Sequence, residues 1–114
     1  MKVLNKTKSI IIAENVHHAK SFKERLIGLM FRKDMQGLGG LLIDPCHSVH
    51  NCFVKFSLDL IFISRNHEIV KVVRGFRPWR FSGIYLESAM VLELEGGSLS
   101  DVSEKGDQLE FHYV

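Results

Sequence analysis

Four residues in one short stretch have the side chains to hold a metal ion. Cys46, His47, His50 and Cys52 supply two thiols and two imidazoles within seven residues, the donors that soft and borderline ions prefer. Their spacing restricts them. On an extended chain, at ~3.3 Å per residue, Cys46 and Cys52 lie about 20 Å apart. Only His50 and Cys52, two apart and on the same side of a strand, could reach one ion directly. No second ligand pair stands out, since His17 and His18 are neighbours in a different element. The expectation is no metal and no cofactor, with His50 and Cys52 as the residues that would bind an ion. Two cysteines cannot build a disulfide framework, so both are expected as free thiols.

A second set could do acid–base chemistry. His50 titrates near neutral pH, and a histidine beside carboxylates can move a proton. Asp59 lies in the most apolar run of the chain, where a carboxylate is costly unless paired or hydrogen-bonded. Glu93 lies in another apolar run, 89–95. The catalytic reading requires His50, Asp59 and Glu93 to meet in one cleft. The plainer reading makes Asp59 an acceptor of backbone N–H bonds at a strand entry and Glu93 a solvated side chain.

A third set could bind anions. Residues 74–81 read RGFRPWRF. Arg74, Arg77 and Arg80 attract phosphate, and Trp79 with Phe76 and Phe81 could stack bases. The competing expectation is structural. It buries Trp79, because an aromatic side chain removes ~150–250 Å² from water, and pairs the arginines with Glu87, Glu93 or Glu95. Basic residues gather at 65–80 and acidic ones from 87 onward. That asymmetry suits two segments that offset each other's charge. The structural expectation is preferred.

The elements that must position these residues are mostly strands. Residues 56–64 alternate, with Phe56, Leu58, Leu60 and Phe62 on one side and Asp59, Ile61 and Ile63 on the other. Both sides are largely apolar, which predicts a strand covered on both faces. Residues 46–52 are expected to supply a strand before it. Further strands are predicted at Val3–Leu4, 9–14, 40–44, 68–75, 89–95 and 108–113. Asn66 is the residue expected at positive φ in the turn before 68. Ser21 and Glu24 have capping-box spacing, and Phe22, Leu26, Leu29 and Met30 follow at helical period. A helical turn is predicted at 99–102. The fold class is therefore α+β, mainly β: a curved, mostly antiparallel, barrel-like sheet with one short helix near residues 21–30.

The 114 residues and 46% apolar content suit a single compact domain over 1–114. The first twelve residues carry Lys2, Lys6 and Lys8 and do not read as a secretory leader. No run approaches the ~18 apolar residues of a membrane span, so a cytoplasmic location is expected.

The order of motifs resembles the bacterial family called domain of unknown function 192. The matching pieces are RLIGLM at 25–30, GLLI at 40–43, HNCFVKFSLD at 50–59, VLEL at 91–94, Gly97 and Gly106-Asp107. The chain departs from the family at Val54, usually Met, and at Ser57, often Pro. The resemblance implies a compact β-rich fold and no assigned activity. No nucleophile elbow, P-loop or dinucleotide fingerprint is present. The expected function is a small soluble binding or interaction module, leaning away from an enzyme. Its partner is unidentified: a small molecule or a protein is possible and nucleic acid is disfavoured. The alternatives are acid–base catalysis and anion or nucleic-acid binding through the sets above.

Overall fold

The apolar alternation sorts the chain into two sheets. The structure is a computed structural model that describes residues 1–21, 24, 29, 34–35, 37–50 and 54–113. Its strands are β1 (Lys2–Asn5), β2 (Ile10–Ala13), β3 (Val16–Ala19), β4 (Gly40–Ile43), β5 (Leu58–Ser64), β6 (Ile69–Phe76), β7 (Ser88–Glu95) and β8 (Leu109–His112). The smaller sheet has the order β2-β1-β8 and the larger β3-β4-β7-β5-β6. All pairings are antiparallel except β3 with β4.

β5 is covered on both faces, as its pattern predicts. Ile61 and Ile63 join Val3, Leu42, Leu92, Leu94 and Leu109 in a core between the two sheets. Leu58, Leu60 and Phe62 join Leu41, Val91, Leu29, Met35, Val49 and Val54 on the opposite face. The strand thus belongs to two cores at once.

The larger sheet does not close into a barrel. β3 and β6 are its edges, and β6 carries exposed Lys71 and Arg74, charges that discourage edge-to-edge pairing. β6 also bulges, since Leu58 pairs with Phe76 but Leu60 with Val73. Gly75 sits in the bulge at φ 66°, a conformation that glycine adopts without a Cβ penalty.

Several local expectations need correction. The helix expected near 21–30 falls largely on residues outside those described, and Glu24, which is described, has helical backbone. Ser21 Oγ does accept the Glu24 N–H at 3.0 Å, the bond a capping pair makes. Residues 46–49 form no strand. They are fastened to the segment before and into β7 by separate bonds, Cys46 N–H to Ala89 O at 2.9 Å and Tyr85 N–H to His47 O at 2.9 Å. β3 lies where no strand was expected, because His17 and His18 hide its pattern. His67, not Asn66, takes the positive φ. Residues 99–102 are not helical; the Leu99 N–H bonds to Asp59 instead.

A buried polar network ties the smaller sheet to the C-terminal turn. Asn5 is fully buried and donates to Ser103 Oγ at 3.0 Å and to Asp107 Oδ2 at 2.8 Å. Burial pushes the Asp107 carboxyl up, but hydrogen bonds from Asn5, the Glu104 N–H and Lys8 outweigh it and hold it below the ordinary value. A depressed carboxyl stabilises the fold above its unfolded pKa of ~3.9, and that contribution is lost as pH falls through the folded value. Asp107→Asn should therefore flatten the acid limb of stability below about pH 4. Urea unfolding of both proteins across that range tests this; parallel acid limbs would refute it.

Candidate functional site

Between β6 and β7 the chain leaves the sheet for eleven residues, 77–87. It enters from Phe76, which is buried against Leu58. Ser82 N–H then donates to Val49 O at 2.8 Å, Ser82 Oγ accepts the Val49 N–H at 2.8 Å, and Ser88 N–H donates to Tyr85 O at 2.9 Å. Tyr85 packs its ring on Phe62 at 4.5 Å between centroids. These anchors fix the backbone and turn the other large side chains outward. Trp79 is 58% exposed, Phe81 77%, Ile84 72% and Leu86 83%.

The observed placement of Trp79 overturns the expectation that it enters the core. Its backbone lies at φ 63°, a conformation that costs a bulky residue ~1–3 kcal/mol. The arginines also depart from expectation. Arg74 turns away and donates to Ser100 O at 3.0 Å and Ser103 O at 3.1 Å, with Asp101 3.9 Å off. It holds the 100–103 turn and pairs with none of Glu87, Glu93 and Glu95. Arg77 and Arg80 are exposed, and no ion pair to either occurs among the described residues. Ile84 and Leu86 border an open groove of about 500 Å³ with Lys71, Glu87 and Lys105. The loop is thus a ridge of chain with four exposed apolar side chains, Arg77 and Arg80 next to Trp79 in sequence and Lys71 and Lys105 beside Ile84 and Leu86 in space. Sequence reasoning named Trp79, Arg77 and Arg80 but passed over Ile84 and Leu86. Their signal was large apolar residues beside Gly83 with neither strand nor helix period to bury them.

The acid–base trio is not assembled. Asp59 pairs across the sheet with Leu94, and Glu93 with Leu60. Leu94 faces the core between the sheets and Leu60 the opposite core, so the two carboxylates project from opposite faces. Asp59 accepts the Gly75 N–H on Oδ1 and the Gly97 and Leu99 N–H groups on Oδ2, each at 3.0 Å. It is the backbone acceptor of the plainer reading. Glu93 is only 4% exposed, not solvated, and burial pushes its carboxyl up to about 8. His50 is exposed beside the Phe81 ring, 6.4 Å between centroids, and bridges to that residue's backbone.

Of the metal candidates, Cys52 lies outside the described residues. Cys46 Sγ donates to Ser48 O at 3.0 Å. Among the described residues no group of three or more His, Cys, Asp or Glu is placed to hold an ion.

Residues 3–111 match the DUF192 family, described as "Uncharacterized ACR". A UPF0127 protein of Pyrococcus furiosus is 34% identical, over 96% of this chain and 97% of its own length. One from Thermococcus sibiricus is 29% identical over 96% of this chain and 73% of its own length, so the relatives are archaeal as well as bacterial. Among solved structures, a protein of unknown function from Novosphingobium aromaticivorans superposes with a TM-score of 0.80 at 20% identity, over 96% of this chain and 82% of that one. A Sinorhizobium meliloti protein described as a candidate transcription regulator gives 0.77 at 25% identity, over 96% and 89%.

Proposed function

This chain belongs to the DUF192 family of uncharacterised proteins, and we propose that it is a small binding module whose binding element is the loop 77–87. One observation carries this reading. Four large apolar side chains within eight residues stand 58–83% exposed beside Arg77 and Arg80, neither of which has an ion pair among the described residues. Folded proteins seldom leave such patches uncovered, and those they do leave tend to be interaction sites. The loop's backbone is held by buried and half-buried anchors, so the ridge is presented ready-made and little ordering entropy is lost on contact. The separation of Asp59 from Glu93 argues against catalysis by the acid–base trio.

The flanking cations point to an anionic partner. The sole tryptophan, Trp79, reports directly on contact. At low salt, its emission is expected to change on adding at least one of three probes: heparin, a single-stranded oligonucleotide or anionic lipid vesicles. The oligonucleotide arm also examines the role suggested by the description of the Sinorhizobium meliloti protein. Arg77→Glu with Arg80→Glu should remove the response and leave thermal unfolding unchanged, because both residues are exposed. Indifference of the wild type to all three probes, or an undiminished response in the double variant, would refute the proposal.

A further inference from the structure

We infer that the partner of this loop is an anionic lipid surface, an inference that rests on the binding reading above. The composition of the ridge selects among anionic partners. Nucleic acid would engage Trp79 and Phe81 through stacking, which needs π-faces. It would leave Ile84 and Leu86, two of the most exposed side chains, in water. Hydrocarbon accepts all four, and needs no pocket shaped to match them. Tryptophan favours the membrane–water boundary, and Trp79 lies at the arginine-bearing end of the ridge between Arg77 and Arg80. Arginine and lysine can extend along apolar surface and keep their charged heads at the phosphate level. Arg77 and Arg80 flank Trp79, while Lys71 and Lys105 border Ile84 and Leu86. Glu87 is the one acid lining that groove. Cations around an apolar ridge complement a negatively charged leaflet. No helix among the described residues is long and apolar enough to cross a membrane, and the contact inferred is peripheral.

The experiment uses the full chain with vesicles of phosphatidylcholine alone and of phosphatidylcholine mixed with phosphatidylglycerol. At low salt the protein should sediment with the mixed vesicles and not with the neutral ones. Trp79 emission should shift to the blue and be quenched by lipids brominated on the acyl chain. Ile84→Asp with Leu86→Asp should weaken partitioning at least a hundredfold, since two aliphatic side chains lose their burial. Arg77→Ala with Arg80→Ala should weaken it roughly thirtyfold and reduce the salt dependence, leaving the part that Lys71 and Lys105 supply. Thermal unfolding of each variant verifies that it folds. If mixed vesicles fail to bind while an oligonucleotide quenches Trp79, the lipid inference is wrong and the loop is still the binding element. If no anionic probe binds, both fail. Binding that survives Ile84→Asp with Leu86→Asp also overturns the inference.

Discussion

Asp59→Ala is expected to lower stability by ~3–5 kcal/mol, a melting shift on the order of 10–20 °C for a chain of this size. The carboxylate receives three backbone N–H groups from two separate segments. Gly75 lies in the β6 bulge, and Gly97 and Leu99 lie in the turn after β7. One side chain therefore fastens an edge strand and a connection to the central β5. Its removal leaves the Leu99 N–H buried without an acceptor, at the full penalty of ~1–3 kcal/mol. The other two bonds are only partly buried, so water can recover part of each. Asp59→Asn should fall between, because an amide keeps one acceptor oxygen and turns its NH₂ towards a donor. Urea unfolding, with the exposed Glu87→Ala as reference, gives the comparison. A loss for Asp59→Ala no greater than that of the reference would sink this account.

Glu93 should produce the opposite sign. Its carboxyl is buried on the face lined by Leu41, Leu60 and Val91, where burial pushes it up to about 8. The folded state then holds the proton more tightly than the unfolded chain, whose glutamate titrates near ~4.3. Stability is full below the unfolded value and is lost as pH rises through the folded one. The total loss is on the order of 5 kcal/mol, spread from about pH 4 to pH 9. Glu93→Gln cannot titrate, so its stability should lose this component of the slope across that window. Glu93→Leu should lose it too, and be more stable than wild type at pH 7 by about 2 kcal/mol or more, because it packs without a group to desolvate. Unfolding at several pH values measures both. Equal slopes for wild type and Glu93→Gln would contradict the burial of an uncompensated carboxyl.

The sequence by itself determined the strands whose pattern is local. β5 alternates two apolar sides, and its burial on both faces follows from that alternation alone. β4, β6 and β7 likewise announced themselves through β-branched and leucine-rich runs between glycines and turns. The order of short motifs was enough to place the chain in its family, and the backbone-acceptor role of Asp59 was legible because a carboxylate in such a strand needs donors. The tertiary structure alone decided the rest. β3 is a strand because β4 lies beside it to pair with, which His17 and His18 do not reveal. Residues 46–49 lost their strand because their hydrogen-bonding groups are taken by the segment 82–89. Whether Glu93 was solvated or buried depended on which face of β7 each core covers. Trp79 and Leu86 are as apolar as any core residue. They stand in water because Phe76 and Tyr85 occupy the anchoring places first, and burial is settled by competition for a finite interior, which no single residue type encodes.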